Sequence, residues 1–313
     1  MAITVKEFYD AGRDSLQLEV ACGAAYLDNQ ITEEALNRPG LALSGFFRYF
    51  AKRRLQVFGL VEHAYLNSLT QRERLARLRR MFRHQIPGVV ITRNRHAMPE
   101  FFQLSEEFRI PILRSGMITG RFMNAATVLI ENMTAPRIRV HGTMVDLMGI
   151  GVLIEGEPGI GKSETALTLI ERGHSLVADD ITVLRRGGDN TIIGSSVEIT
   201  RYHMEIRGLG IIHVPSLFGV ASMRGEAKLD LIVRLQRPDP QMEHDRSGLS
   251  PKSRQVLEVD VPLIVLPVAA GKDLAHVVEV AALNQKLKQL GHDAAKELDE
   301  KLIGILVKKQ GSK

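Results

Sequence analysis

Gly156-Glu157-Pro158-Gly159-Ile160-Gly161-Lys162-Ser163 fits the pattern G-x-x-x-x-G-K-S, a set of residues suited to cradling phosphate. The glycines let the backbone curl until successive N–H groups point inward at phosphate oxygens. Lys162 would reach the outer phosphates, and the Ser163 hydroxyl would sit on Mg²⁺. The pattern carries this meaning only between a strand and a helix. An apolar run, Gly151 to Ile154, precedes it, and Glu164 to Arg172 follow with helical composition. A helix starting near Ser163 would aim its positive end at the same place. A chance glycine-rich turn is the alternative, and both flanks argue against it.

Such a loop implies a nucleoside triphosphate or pyrophosphate and leaves the reaction open. Ser175 to Asp180 reads as a strand delivering Asp179 and Asp180, 17–18 residues after Lys162. So short a crossover puts that strand close to the loop strand, and its carboxylates near the phosphates. Either aspartate can hold Mg²⁺ or take a proton from an attacking hydroxyl. Neighbours on a strand face opposite ways, so one could serve the metal and the other the nucleophile. A solvated carboxylate pair at a strand end is the plainer reading. His141 ends the strand beside the loop strand and could donate to phosphate, although a lone histidine there is more often structural. Glu205 and Arg207 stand two apart on one face of an extended segment. Glu205 could be a second Mg²⁺ ligand, and Arg207 could meet the transferred phosphate. Arg246, in the polar segment 243–248, could neutralise equatorial phosphate oxygens. Surface charge is the simpler account of both arginines.

The elements that must position these groups follow from length and pattern. A chain of 313 residues suggests two domains. At 44% hydrophobic and 25% charged it can build a sizeable core. Cys22 is the single cysteine, so no disulfide forms within the chain, and it reads as a buried structural thiol. Met1 to Glu7 has no signal-peptide texture. The longest apolar stretch, Val261 to Ala270, is far short of the ~20 residues of a membrane span. We therefore expect a cytoplasmic protein without a membrane partner. The net charge of +5 is too mild to argue for nucleic acid. One basic concentration, Arg72 to Arg83, carries Leu75, Leu78 and Phe82 at helical spacing. Without aromatic interleaving it reads as a solvated or partner-facing helix face, and nucleic acid is not expected.

Along the first part, helices are predicted over 4–11, 65–82, 99–107 and 119–131. Strands or strand-and-turn are predicted over 17–31, 88–92 and 110–113. This alternation suggests an α/β unit with a small parallel sheet. Nothing there carries chemistry, so it reads as an accessory domain. Glu131 to Pro136 is the candidate linker. Beyond it, Arg137 to His141 alternates as a half-buried strand does. Strands are predicted at 149–154, 175–180, 228–235 and 261–266, with strand and turn at 192–200. Glu205 to Pro215 reads as a glycine-rich turn feeding an apolar strand. Residues 238–251 look polar and mobile, and 274–287 and 294–306 helical.

Several of these stretches together resemble the HPr kinase/phosphorylase family. They are Arg38-Pro39-Gly40-Leu41 with its aromatic sequel, Val140-His141-Gly142, Gly156 to Glu164, Leu176 to Asp180, Glu205 to Pro215, and Asp245-Arg246. The resemblance covers nearly the whole chain. Glu205 to Ile211 is its most specific part, because it looks like the family's own signature. The resemblance implies that Lys162 and the loop amides hold phosphates, and that Ser163 and Glu205 hold Mg²⁺. It makes Asp180 the base that activates a serine of HPr, and the acid in reverse, with His141 and Arg246 as catalytic contacts. It also implies phosphorolysis, in which inorganic phosphate releases pyrophosphate from phosphoserine, and a homohexamer. Two departures stand out. Pro158 replaces a small polar residue and removes one loop N–H. Pro267 to Asp273 resembles the family's dephosphorylation loop but lacks its Pro-Gly-Arg-Asn core, which weakens the expectation of phosphorolysis.

The expected architecture is α/β in two domains: an N-terminal α/β module with a small sheet (residues 1–133), and a C-terminal phosphate-loop kinase domain with a mixed sheet and C-terminal helices (134–313). The expected activity is Mg²⁺-dependent transfer from ATP, or pyrophosphate, to HPr, in carbon-metabolism regulation. The alternatives are a nucleotide-gated switch or ATPase of another class, and a non-enzymatic regulator using the Arg72–Arg83 face.

Overall fold

The computed structural model describes residues 2–238, 252–269 and 271–301. The chain divides into two compact units, Met1–Ala135 and Pro136–Lys313. In unit 1 the elements are β1 (Ile3–Thr4), α1 (Val5–Gly12), β2 (Leu18–Cys22), β3 (Gln30–Ile31), α2 (Gly40–Ser44) and β4 (Gln56–Phe58). Then come α3 (Leu60–Asn67), α4 (Gln71–Phe82), β5 (Val89–Ile91), α5 (Pro99–Phe108), β6 (Ile112–Ser115) and α6 (Thr119–Thr134). The main sheet runs β2-β6-β5-β4. Strands β4, β5 and β6 are parallel, as the alternation of strands and helices requires, and β2 is antiparallel to β6.

The helical stretch expected over 65–82 is two helices. Ser68 ends α3 with its hydroxyl on the Tyr65 carbonyl (2.7 Å). Thr70 then starts α4 with a capping box: Thr70 accepts from the Glu73 amide, and Glu73 accepts from the Thr70 amide. The boundary between the units, at Ala135 and Pro136, falls inside the expected linker 131–136, whose first four residues are helical. Helix α6 continues through Thr134 and stops at Ala135 (ψ 134°) because the following Pro136 excludes the helical conformation there.

Unit 2 begins with β7 (Arg137–His141), β8 (Thr143–Leu147), β9 (Ile150–Glu155), α7 (Lys162–Glu171), β10 (Ser175–Ala178), β11 (Ile181–Arg186) and β12 (Ile192–Ser196). It continues with β13 (His203–Ile206), β14 (Gly210–His213), α8 (Val214–Phe218), β15 (Glu226–Gln236), β16 (Lys252–Val256), β17 (Val259–Pro267) and α9 (Leu274–Gln289). The large sheet is mixed, in the order β10-β8-β9-β15-β12-β11-β7, with β17 on β15 and β16 on β17. Its centre is parallel, β9 and β17 both running with β15. All six residues of β9 are buried, the pattern of a strand covered on both faces. The glycine-rich loop leaves the carboxyl end of this strand, where open α/β sheets bind ligands.

The structure corrects four expectations here. Strands β8 and β11 lay in stretches not read as strands. Strand β7 is an edge strand with Arg137, Ile138, Arg139 and His141 exposed, so it is not half-buried. Strand β10 ends at Ala178, leaving Asp179 and Asp180 beyond it, and β8 separates it from β9. The stretch 205–215, read as a turn feeding one strand, lies in a two-stranded hairpin, β13–β14 (residues 203–213), that leaves Leu209 and Ile211 exposed, and ends in the start of α8. Arg246 and most of 238–251 lie outside the described residues, as do residues 302–306 of the last expected helix.

Helix α9 packs on α7 through Ala275, Val278 and Ala282, in one core cluster with Ala166, Leu169 and Ile170. Polar ties frame that contact. Asp273 caps α9 by accepting from the His276 amide (3.0 Å) and pairs with Arg172 (2.6 Å). Glu279 meets both Arg172 (3.3 Å) and the buried His174 (3.0 Å). The His174 hydrogen bond, opposed by desolvation and helped by Arg172, holds the Glu279 carboxyl below the usual carboxylate range. A carboxyl with a lowered folded pKa contributes stability above its unfolded pKa and loses it as pH falls through the folded value. Glu279→Gln is therefore expected to unfold at a lower urea midpoint at pH 7, by less than ~1 kcal/mol. That deficit should close as the pH is taken below ~4; an unchanged deficit at acid pH would refute the ionic contribution.

Candidate functional site

Five parts of unit 2 meet around one cavity of about 490 Å³. The loop and the start of α7 contribute Gly156, Pro158, Gly159, Gly161, Lys162, Ser163 and Glu164. His141, Asp179, Asp180, Glu205 and Arg207 complete the lining. The described site residues named from the sequence thus come together, apart from two loop members. Glu157 is exposed and pairs with Arg237 (3.6 Å), and Ile160 packs on the core.

The glycines are needed for conformation and for space. Gly156 has φ 150°, and a Cβ there would lie 2.7 Å from the Leu235 carbonyl oxygen. Gly159 has φ 78°, and a Cβ there would lie 2.6 Å from Arg207 Nη2. The Arg207 guanidinium therefore lies directly against the loop. Gly161, at φ 106°, precedes α7 without a side-chain cap, so the helix amides face the cavity without competition from a capping side chain. The Lys162 ammonium donates to the carbonyls of Gly156 (3.1 Å) and Glu157 (3.2 Å). Below the loop, Glu155 ends β9 buried and pairs with Arg254 (2.6 Å to Oε2) from β16.

The two aspartates differ in environment. Asp179 is an acceptor hub. Its Oδ1 takes hydrogen bonds from Thr143 Oγ1 (2.8 Å) and Ser163 Oγ (3.2 Å), and its Oδ2 takes one from the Glu205 amide (3.1 Å). Asp180 has φ 57° and sits at the centre of a three-residue turn closed by Ile181 N–H on the Asp179 carbonyl (2.7 Å). A non-glycine residue held there stores strain, as residues at functional sites often do. The turn, not strand alternation, separates the two carboxylates. The β7–β11 register pairs His141 with Ile181, and Gly142 N–H donates to the Asp180 carbonyl (2.9 Å). Both contacts bring His141 to Asp180.

Ser163 and Glu205 are hard oxygen donors joined through one carboxylate. Ser163 can keep its proton on Asp179 while turning its lone pairs to a cation. Among the described residues no three His, Cys, Asp or Glu side chains form a metal cage. Two hard oxygens, from Ser163 and the Glu205 carboxylate, fit Mg²⁺, which binds through one or two protein oxygens, waters and substrate phosphates. The sequence did not single out Asp179 as the hub, because Thr143 and the Glu205 amide reach it only through folding. Arg207, weighed in the sequence against surface charge, lines the cavity.

Comparison with known proteins bears on this constellation. Residues 3–130 match the model described as "HPr Serine kinase N terminus", and residues 132–302 match "HPr Serine kinase C-terminal domain". The chain belongs to the HPr serine kinase family. The HPr kinase/phosphorylase of Caldicellulosiruptor bescii is 42% identical over 88% of each chain. That of Listeria monocytogenes serotype 4a is 40% identical over 97% of this chain and 96% of its own. A solved HPr(Ser) kinase/phosphatase from Coxiella burnetii is 34% identical, covering 51% of this chain and 98% of its own, with a TM-score of 0.47. The chain is a family enzyme of the protein-serine kinase/phosphorylase class. No helix among the described residues is long and apolar enough to cross a membrane.

Removing the hub carboxylate tests its part in this family member. Asp179→Ala frees the Ser163 hydroxyl and the Glu205 amide together. The Mg²⁺ concentration for half-maximal ATP binding should rise by about tenfold or more. A Mg²⁺ titration that is unchanged in a folded variant would refute the assignment.

Proposed function

We propose that this protein transfers a phosphoryl group from ATP to a serine of HPr, with Mg²⁺, and that the same cavity carries out phosphorolysis of the phosphoserine. The observation that supports this reading best is the sorting of the two aspartates. Both line the cavity, but Asp179 accepts from Ser163, Thr143 and the Glu205 amide, whereas Asp180 sits on its own turn at positive φ.

The loop amides from Gly156 to Ser163 bind the outer phosphates, and Lys162 leaves the loop carbonyls to pair with them. Ser163 and Glu205 would hold Mg²⁺, which when bound would draw charge from the phosphate oxygens. Arg207 lies over Gly159 at the same phosphates, and His141 donates from the side of Asp180. The serine hydroxyl of HPr enters opposite the loop. Asp180 takes its proton as the serine oxygen bonds to the γ-phosphorus, and the bond to ADP breaks. In the reverse direction a phosphate oxygen attacks the phosphoserine phosphorus and gives its proton to Asp180. The serine oxygen leaves and takes that proton back, and pyrophosphate remains in the loop. Arg246, outside the described residues, is assigned by resemblance to the transferring phosphate. The resemblance also extends the reading to a cytoplasmic homohexamer in carbon-metabolism regulation, with Pro158 and the altered 267–273 loop bearing on phosphorolysis.

Labelled ATP, Mg²⁺ and HPr should yield label on a serine of HPr. Asp180→Asn should slow transfer by ~10²–10⁴-fold while ATP still binds. Lys162→Ala should weaken ATP binding and transfer together. Phospho-HPr with phosphate should release pyrophosphate. ATP hydrolysis without label on HPr would replace this reading with an ATPase or switch, and a full rate in Asp180→Asn would remove the base.

A further inference from the structure

Unit 1 carries 18 basic and 13 acidic side chains, which is the whole of the chain's net charge of +5. Between Arg48 and Arg83 the segment holds ten Lys or Arg and two acids, Glu62 and Glu73. Three of the ten are neutralised: Arg54 by Glu33, Arg74 by Glu100 and Arg79 by Glu107. Arg48, Lys52, Arg53, Arg72, Arg80 and Arg83 are exposed and form no ion pair among the described residues. At 3.6 residues per turn, Arg72, Arg80 and Arg83 fall within about 80° of one another on the outer face of α4.

The fold adds aromatic groups to this face from about 30 residues earlier in sequence. The segment after α2 is pinned along the edge of α4. Arg77 donates to the Ser44 carbonyl (3.0 Å). Arg80 lies 4.8 Å from the Phe47 ring centroid. His84 stacks on Phe47 at 4.8 Å and meets Phe50 edge-on at 5.5 Å. Tyr49, between those two anchors, is 88% exposed at φ 64°. Phe46 is 53% exposed. The Arg48 guanidinium lies 5.3 Å from the Tyr49 ring centroid, so an exposed cation and an exposed ring stand together on this strained segment.

We infer that this face of unit 1, formed by α4 and residues 46–53, docks single-stranded nucleic acid. Phosphates lie along Arg72, Arg80 and Arg83, and unpaired bases stack on Tyr49 and Phe46. Charge complementarity selects a polyanion. The exposed rings select among polyanions: a duplex hides its base faces and an acidic polypeptide has none, whereas a single strand offers phosphates and open bases together. This surface belongs to unit 1 and the phosphate-loop cavity to unit 2, and the inference does not depend on the assignment of the cavity.

The test is fluorescence anisotropy of a labelled 20-nucleotide oligothymidylate with the full chain, from 50 to 200 mM KCl. Saturating pyrophosphate occupies the phosphate loop throughout. Binding should weaken with a log–log salt slope of about −2 to −3, from ~3–4 phosphate contacts. The double variant Arg72→Ser/Arg83→Ser should flatten that slope by ~1.4. Tyr49→Ser should weaken binding about fivefold or more, as loss of base stacking does, at an unchanged slope. All these positions are exposed, and circular dichroism and ATP-dependent phosphotransfer check that the variants are folded. No binding at 50 mM KCl would overturn the inference, as would a salt slope indifferent to the two arginines. Equal binding of a duplex or of polyglutamate, with no effect of Tyr49→Ser, would overturn it in favour of a duplex or an acidic protein partner.

Discussion

The candidate site depends on the carboxylate of Asp179. Three donors from three elements converge on its two oxygens: Thr143 from β8, Ser163 from α7 and the amide of Glu205 from β13. Each bond joins a part of unit 2 that would otherwise be positioned only by its own packing. Without this acceptor, the start of the helix after the glycine-rich loop and the hairpin carrying Glu205 and Arg207 would share no polar contact at the cavity among those described. Hydrogen bonds to a charged acceptor are stronger than neutral ones, and a network satisfied at one group tends to be rigid.

This arrangement gives neighbouring residues of the same type different chemistry. Asp179, half-buried at the cavity, accepts three hydrogen bonds. Asp180 follows at positive φ, and the turn around it is closed on both sides by backbone hydrogen bonds, Ile181 N–H to Asp179 O and Gly142 N–H to Asp180 O. The second bond comes from the residue after His141, so the edge strand β7 is tied to the same turn. The 136–313 unit has as many acidic as basic side chains, 23 of each, and at the cavity Lys162 and Arg207 stand among Glu164, Asp179, Asp180 and Glu205, so their effect is one of position and not of an excess of positive charge.

Much of the fold was legible because burial imposes a pattern. The apolar run into Gly156 could only be a covered strand, and the G-x-x-x-x-G-K-S spacing marked the loop that leaves it. The alternation of short strands and helices in unit 1 marked a parallel sheet. Strands β8 and β11 were not legible. Both flank charged or turn-forming residues, and their stability comes from pairing with partners that the local sequence does not reveal. The stretch 131–136 holds the boundary between the units, but its composition did not show that Glu131 to Thr134 are the last turn of an amphipathic helix.

The sequence alone determined which groups are available: a glycine-rich loop, an adjacent lysine and serine, two aspartates, and an acid and an arginine two residues apart. These depend on side-chain type and on conformations open mainly to glycine, both local properties. The tertiary structure decided that Asp179 gathers Thr143, Ser163 and the Glu205 amide, that Arg207 lies on Gly159, and that Phe47 meets Arg80 and His84. Those are contacts between segments distant in the chain. They exist only after loop-closure entropy has been overcome by core burial, and no local pattern records them.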